Sequence, residues 1–314
     1  MLLWHSPQTE DITKIFNAAT QLNSKGNDCS YTNIILYKEK LHTQIAFYND
    51  CLFRKIRDSQ ENDFYLFPLG KAENLPSAIQ AIVQDAKTNN NELNFALVSS
   101  KQKILLEELL PKQFCFLENR NESDYLYLAD DLAFLAGSKY HKKRNHIAKF
   151  NKTYSNVKFE ELSENNKQYF LEIADKWFLE NDGPNDNGKI YENKIIHQVL
   201  DSSSLFNLRG GILFIENVPI AMTLASAINN TTVDIHFEKA ISEYAKHGAY
   251  AVINQEFAKT LAKDFKYINR EEDLGIEGSL LKTSRTLTMP KILSKALRLT
   301  WISRMYSYLP PRVT

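Results

Sequence analysis

Residues 231–278 read TTVDIHFEKAISEYAKHGAYAVINQEFAKTLAKDFKYINREEDLGIEG, and this stretch decides the fold. Its first segment alternates apolar and polar side chains with period two, which is typical of a strand buried on one face. The apolar residues are Val233, Ile235 and Phe237, and the polar ones are Asp234, His236 and Glu238. Apolar residues then recur at helical spacing between positions 252 and 261, and a short strand follows. The stretch therefore predicts strand, loop, helix and strand, with His236 and Glu238 together on the face opposite Phe237.

The loop of this stretch is a candidate anion site. Gly248 lies where the predicted helix begins, and Lys246 and His247 precede it. The first turn of a helix offers free backbone N–H groups and the positive end of the helix dipole, which suit a pyrophosphate or a carboxylate. Lys246, His247 and Gly248 are therefore candidate donor-binding residues, although a loop with Lys and His is commonly just solvated.

Carboxylates follow at the same end of the predicted sheet. Glu238 or Glu271 is a candidate general base, and His236 is a candidate partner in proton transfer. Asp273 and Glu277 are candidates for holding an ammonium group of the donor or the acceptor. The competing interpretation is structural: a polar pair on a strand often makes only a hydrogen bond, and Asp273 can cap a helix.

Charge is balanced overall but not along the chain. The 38 basic and 38 acidic residues cancel, yet residues 132–159 contain seven basic residues and no acid. Within this segment a predicted helix carries Lys142, Lys143 and Arg144, which can bind the phosphates of a tRNA, a nucleotide or a lipid head group. A solvated helix face is the alternative.

A second basic segment follows residue 277, after which the chain has no acid. Lys291, Lys295 and Arg298 are spaced as on one face of a helix whose other face is apolar. Such a helix can lie on an anionic membrane surface or dock its apolar side on the rest of the protein.

Composition excludes several classes of protein. Cys29, Cys51 and Cys115 are too few and too far apart for a disulfide framework or a zinc site, and we expect no metal. The N-terminus has no signal-peptide pattern, and charged residues interrupt the most apolar window, so we expect a cytoplasmic protein without a membrane span. HExxH, GxSxG, Walker and paired CxxC motifs do not occur, which disfavours the corresponding hydrolases.

The two halves of the chain show the same predicted order: helices, an antiparallel meander, a strand ending in a glycine-containing loop, a helix and a further strand. A duplicated α+β domain is the simplest explanation. We place the first domain at residues 1–130, a basic connecting helix at 131–154, and a second domain with the active site at 155–314.

This order resembles the GNAT acyltransferase fold, in which the loop after the fourth strand and the following helix bind the donor's pyrophosphate. Three stretches resemble, more specifically, a bacterial family related to the C-terminal catalytic domain of phosphatidylglycerol lysyltransferases. They are DDLAFLAGSKYHKKRNHIAKF (130–150), DIHFEKA (234–240) and NREEDLGIEG (269–278), and FPLG (67–70) in the first half supports the resemblance. The resemblance implies two tandem GNAT-like domains, each with a mixed, mostly antiparallel sheet flanked by helices.

The resemblance also implies an activity: direct transfer of an aminoacyl group from aminoacyl-tRNA, or of an acyl group, to an amine or hydroxyl acceptor such as a phospholipid head group. The GNAT loop that binds acyl-CoA has Gln or Arg first and Gly or Ala last, whereas aligning Gly248 puts Ala245 and Tyr250 there. The donor therefore stays open between acyl-CoA and aminoacyl-tRNA, and no cofactor is certain. The alternative is a degenerate, non-catalytic module that binds a nucleotide, a tRNA or an anionic membrane.

Overall fold

The computed structural model describes residues 1–58, 61–119, 122–272, 291–292 and 296–301. The predicted fold class is confirmed, because two mixed, mostly antiparallel sheets are flanked by helices. The helices are α1 (Ile12–Leu22), α2 (Tyr31–Leu36), α3 (Leu75–Thr88), α4 (Ser100–Leu109), α5 (Ala129–Phe134), α6 (His141–Thr153), α7 (Lys167–Glu180), α8 (Asn187–Asp201), α9 (Ser242–Ala245) and α10 (Ala249–Leu261).

Within the described ranges, the strands form one sheet of six and one of seven. They are β1 (Gln44–Tyr48), β2 (Cys51–Arg57), β3 (Asp63–Leu69), β4 (Phe95–Val98), β5 (Phe114–Asn119), β6 (Asp124–Leu128), β7 (Val157–Glu161), β8 (Arg209–Ile215), β9 (Val218–Asn229), β10 (Thr232–Ala240), β11 (Tyr267–Glu272), β12 (Lys291–Ile292) and β13 (Ala296–Trp301). The first sheet has the order β1-β2-β3-β4-β13-β5, and the second has the order β12-β6-β11-β10-β9-β8-β7.

A repeat is visible in the pairing. Among the described strands, each sheet contains one parallel pair joined by a helix, β3–α3–β4 in the first and β10–α10–β11 in the second. Around each parallel pair the neighbouring strands run antiparallel. Because parallel strands need a crossover connection, usually a helix, the glycine-containing loop and helix predicted from residues 231–278 occur where such a crossover requires them.

The two halves exchange strands. The strand β6, which precedes residue 130, pairs with β11 in the second sheet, and β13 lies between β4 and β5 in the first. The boundary at residue 130 stays a prediction, but each sheet is completed by the other half of the chain. This exchange fixes the two sheets against one another and therefore fixes the space between them.

The basic helix expected around residues 291–298 is wrong, because Lys291–Ile292 and Ala296–Trp301 are strands. Lys295 lies outside the described residues. The segment 296–301 also alternates at period two, with Leu297, Leu299 and Trp301 as its apolar positions. A run of this length is compatible with both the helical and the strand period. Its pairing with β4 and β5 shows that it forms a strand.

The core of the second half lies on both faces of its sheet. On one face, Phe237 packs with residues of α1, α2, α7 and α8. On the other, Val233 and Ile235 pack with Phe257, Ala258 and Leu261 of α10, as the helical spacing predicted. We call the first the cleft face and the second the helix face. Among the residues that the structure describes, no helix is long and apolar enough to cross a membrane.

Candidate active site

A β-bulge in β10 places His236 and Glu238, which were predicted to share a face, on opposite faces of the strand. Ile235 pairs with Ala225 and Phe237 pairs with Leu224, so His236 is one extra residue in the strand. A bulge of this kind reverses the alternation beyond it. His236 therefore lies on the cleft face with Phe237, whereas Glu238 lies on the helix face. The predicted shared face of His236 and Glu238 is wrong for this reason.

The cleft face carries a cluster of titratable side chains. His236 Nδ1 lies 3.5 Å from Asp234 Oδ2 and 3.4 Å from Glu271 Oε1. From α2, Asn33 Nδ2 donates to the same two carboxylate oxygens, at 3.1 Å each. Asp234 and His236 are buried, while the Glu271 side chain is 27% exposed. Only Glu271 of this trio can reach a bound molecule.

A chain of hydroxyl groups holds the other side of the imidazole. His236 Nε2 lies 2.8 Å from Ser226 Oγ, which in turn lies 2.7 Å from Thr32 Oγ1. Because both ring nitrogens have polar neighbours, the ring cannot rotate without losing contacts. The imidazole is thus fixed against Glu271 by residues of both halves of the chain.

The exposed side of Glu271 faces a cavity of about 370 Å³ between the two halves. The other lining residues come from the turn before α2, from α2 and the loop after it, from β2, β3 and β4, and from α8. They are Asn27, Asp28, Asn33, Ile34, Tyr37, Lys40, Leu41, Thr43, Arg54, Ile56, Leu66, Leu97 and Glu192. A concave space with an apolar wall and a few convergent polar groups is the usual form of a small-molecule site.

Two strained residues border this cavity. Glu271 has φ of 56° and Leu97 has φ of 55°, the left-handed region that side chains rarely adopt. The pairing of β11 with β6 shifts register at Glu271, and the pairing of β4 with β13 shifts register at Leu97. Strained backbone persists where the surroundings over-determine it, often at functional sites. One strained residue from each sheet therefore lines this cavity.

The helix face holds a different polar network. Lys143 of α6 is 1% exposed, and its Nζ donates to Asn254 Oδ1 at 2.9 Å. Asn254 donates to Glu238 Oε2 at 3.3 Å, and Arg270 donates to Glu238 Oε1 at 2.7 Å. Burial, followed by the positive charge of Arg270, lowers the pKa of Lys143 to about 7. Burial thus disfavours the charged form of Lys143 relative to an exposed lysine.

The network changes two predictions. Lys143 is not part of an exposed basic surface, because α6 turns it into the protein. Glu238 is only 7% exposed and already accepts two hydrogen bonds, so it does not face the cavity. The network lies where β10 and β11 separate, since their pairing ends at Asp234 and Asn269.

The predicted donor loop is packed against α6. Gly248 has φ of 107°, and a Cβ atom there would lie 3.3 Å from the carbonyl oxygen of His146. Glycine thus allows both the left-handed turn and the close approach of α6. His247 Nδ1 lies within hydrogen-bond distance of the Tyr154 hydroxyl, and Lys246 is exposed. These contacts account for Gly248 and His247 without a ligand.

The two neighbours of Lys143 in the basic segment also differ from one another in their surroundings. Lys142 is exposed on α6. The Arg144 guanidinium donates to the carbonyl oxygens of Leu135 at 2.6 Å and Gly137 at 2.7 Å, and so fixes the turn before the helix. Asp273 and Glu277 lie outside the described residues. Their proposed contact with an ammonium group stays a prediction.

Sequence reasoning missed Asn33, Ser226 and Asp234 as parts of the site. Asp234 had a signal, because it alternates with His236 on the predicted strand. Asn33 and Ser226 had none, since their roles depend on packing between distant segments. The same packing brings one ligand atom each of Asp234, His236 and Glu271 within 4.8 Å of one another, a set that can hold a divalent cation.

Comparison with known proteins identifies the family. The chain is similar to a conserved protein of unknown function from Bacteroides thetaiotaomicron VPI-5482, with a TM-score of 0.87 and 30% identity over 96% of this chain and 100% of that one. L-PGS from Bacillus licheniformis has a TM-score of 0.65 and 14% identity, covering 96% of this chain and 94% of its own.

A third similar structure is the C-terminal domain of a putative lysylphosphatidylglycerol synthetase from Agrobacterium fabrum, with a TM-score of 0.62 and 11% identity, covering 92% of this chain and 91% of that one. These last two likenesses show the fold alone. No curated protein matches the chain. The family described as phosphatidylglycerol lysyltransferase, C-terminal, matches residues 19–295, which is most of the chain. This protein therefore belongs to the phosphatidylglycerol lysyltransferase C-terminal family.

Proposed function

We propose that this protein transfers an aminoacyl group from aminoacyl-tRNA to an amine or hydroxyl acceptor in the cavity between its two halves. The observation that carries the proposal is the half-buried Glu271 carboxylate, which faces the cavity while Asn33 and His236 hold it from behind. Family membership supports the class of reaction. The family name also supplies the first acceptor to test, a phospholipid head group.

In the proposed reaction, Glu271 acts as general base. Its carboxylate takes the proton of the acceptor amine or hydroxyl as that group attacks the ester carbonyl carbon of the donor. The tetrahedral intermediate then collapses, the bond to the ribose oxygen breaks, and that oxygen receives the proton. His236 and Asn33 act as positioning residues, because they contact the Glu271 carboxylate and hold it in place. The imidazole of His236 is buried and does not reach the cavity.

The cysteines of this protein support a direct transfer of the aminoacyl group, without a covalent intermediate on a thiol. Burial raises the pKa of the Cys29 thiol far above its ordinary value, and burial raises that of Cys51 as well. A thiol that stays protonated is a poor nucleophile. Cys115 is exposed on β5 and does not line the cavity. These features support the absence of a covalent thioester step.

Aminoacyl-tRNA is a better donor candidate than acyl-CoA. The backbone of α6 lies against Gly248, and Ala249 at the start of α10 is fully buried. A pyrophosphate would have to enter where these groups already pack. Exposed lysines near this end of the protein, Lys142 and Lys246 among them, can instead contact tRNA phosphates from outside.

The binding of charged and uncharged tRNA tests the proposal. Total tRNA, either aminoacylated or deacylated, is titrated in filter-binding assays at several salt concentrations. We expect tighter binding of charged tRNA, and Lys142→Ala should weaken both equally, because it removes a phosphate contact and not an aminoacyl contact. Equal binding of the two forms would argue against an aminoacyl donor.

A non-catalytic module is the second candidate. The observation in its favour is the network where β10 and β11 separate, because the largely buried side chains of Lys143, Asn254, Glu238 and Arg270 there bond to one another. A module of this kind would bind tRNA without shortening the lifetime of the aminoacyl ester. An enzyme would shorten that lifetime when an acceptor is present.

A further inference from the structure

The cavity next to Glu271 has an apolar wall. Leu66 and Ile34 are largely buried, while Ile56 and Leu97 are partly exposed towards the cavity. Leu66, Ile56 and Leu97 also pack together in a small cluster separate from the main cores. These side chains come from β2, β3, β4 and α2. An apolar surface of this kind favours an apolar group of the ligand over water.

The charges of the cavity are largely neutralised within the protein. Among the described lining residues, the carboxylates are Asp28, Glu192 and Glu271. Asp28 Oδ2 lies 3.0 Å from Arg54 Nη1. Glu192 forms an ion pair with Lys239, whose Nζ also lies 3.7 Å from the centre of the Trp177 ring.

Glu271 differs from these two carboxylates. Its described partners are the Asn33 amide and the His236 imidazole, not a Lys or Arg side chain. An aminoacyl donor brings one α-ammonium group, which Glu271 can neutralise. A lysyl donor brings a second ammonium group, and the other described lining carboxylates, Asp28 and Glu192, are already paired with Arg54 and Lys239.

A further cation lines the same space. Lys40 lies near the rings of Tyr37 and Tyr191, at 5.9 and 5.8 Å from their centres. Its charge would repel a second ammonium group. Burying a charge without a counterion is strongly unfavourable, whereas burying an aliphatic side chain is favourable.

We propose that this cavity is the pocket for the transferred aminoacyl group and that it selects amino acids with an apolar side chain over lysine. The inference rests on the proposed function and names its substrate class. The α-ammonium lies at one carboxylate oxygen of Glu271, which leaves the other oxygen to take the proton of the acceptor, and the side chain extends along Ile34, Ile56, Leu66 and Leu97. Selection follows because the wall beyond Glu271 is apolar and because Lys40, which also lines the cavity, repels a second positive charge.

Non-hydrolysable analogues of the charged 3′ end test this inference. The probes are 3′-aminoacylamido-3′-deoxyadenosines that carry leucine, methionine or lysine, and their dissociation constants are measured by calorimetry. We expect the leucyl and methionyl analogues to bind about 100-fold more tightly than the lysyl analogue. A lysyl analogue that binds as tightly as the leucyl one would overturn the inference and leave the proposed function intact.

A pair of matched variants locates the pocket. Ile56→Glu adds a carboxylate to the cavity wall, and we expect it to weaken the leucyl analogue and strengthen the lysyl one by at least about tenfold each. Ile104→Glu is the control, because Ile104 is 57% exposed on α4 and does not line the cavity. Unchanged preference in Ile56→Glu would contradict the placement.

The remaining outcomes are also decisive. If Ile56→Glu does not fold, the comparison of analogues on the unmodified protein still decides the selectivity. If no analogue binds, the inference fails. The proposed function fails as well only if charged tRNA also binds no better than uncharged tRNA.

Discussion

Replacing Lys143 with methionine should abolish a specific pH dependence of stability. Lys143 is buried, and its pKa falls to about 7 in the folded protein from an ordinary value of 10.5. Methionine has a similar length and cannot ionise. The variant therefore removes the titration while keeping most of the packing around α6.

The direction of this pH dependence follows from the pH at which the folded and the unfolded protein release the Lys143 proton. The unfolded chain keeps the proton on Lys143 until about pH 10.5, whereas the folded protein loses it near pH 7. The energetic cost of this lysine is therefore fully present below pH 7 and disappears as the pH rises. A pKa difference of one unit corresponds to about 1.4 kcal/mol, so this group alone should make the protein about 2.5 kcal/mol more stable at pH 9 than at pH 6.

Urea unfolding at pH 6, 7, 8 and 9 measures this effect. The free energy of unfolding of the unmodified protein, minus that of Lys143→Met, should rise by about 2.5 kcal/mol across the series. Lys142→Met is the matched control, because Lys142 is exposed on the same helix and should give no such slope. A difference for Lys143→Met that does not vary with pH would refute the assignment of a neutral buried lysine.

Three further variants test the packing around the site. Gly248→Ala should cost about 1–2 kcal/mol in urea unfolding, because a side chain would be strained at φ of 107° and crowd the His146 carbonyl. Arg144→Ala should lower stability by about 1–3 kcal/mol through the loss of two hydrogen bonds, measured against Lys142→Ala, which should be neutral. Glu238→Ala should cost about 3–5 kcal/mol and lower the Tm, since it removes the buried carboxylate to which Arg270 and Asn254 donate; a change below about 1 kcal/mol would show that Glu238 is not part of a structural network.

The sequence predicted the elements around the site well, because they depend on local patterns. The alternation from Val233 to Phe237 predicted a strand and the spacing from Val252 to Leu261 predicted a helix, and both elements form. The expected burial of β10 on one face is wrong, because Phe237 packs on the cleft face whereas Val233 and Ile235 pack on the helix face. Gly248 marks the start of α10 for a similarly local reason, its left-handed backbone. The order of elements was sufficient to predict the tandem α+β fold.

The face of each polar side chain was less predictable. One extra residue at His236 turns Glu238 to the opposite side of β10, and no feature of DIHFEKA marks the bulge. Lys143 lies between Lys142 and Arg144 in an unbroken basic run, yet only Lys143 turns inward, because its partner Asn254 is on a helix more than a hundred residues away. Contacts of this range cannot be inferred from spacing.

The exchange of strands between the halves was also outside the reach of local patterns. The strands β6 and β13 have ordinary strand sequences, and only their pairing places each in the sheet of the other half. The walls of the cavity come from the first sheet, from α2 and α8, and from β11, which are distant in the sequence. Glu271 was a candidate from the sequence, but its partner Asn33 became visible only in the structure.

The most direct test of the central claim is the rate of aminoacyl-ester loss from charged tRNA under enzyme excess, with phospholipid vesicles as acceptor. The unmodified protein should accelerate this loss, and Glu271→Gln should slow it by about 100-fold or more, as expected for a general base. Glu256→Gln, a change of the same kind on the surface of α10, should leave the rate unchanged. A folded Glu271→Gln variant that transfers as fast as the unmodified protein would contradict the placement of the reaction at Glu271.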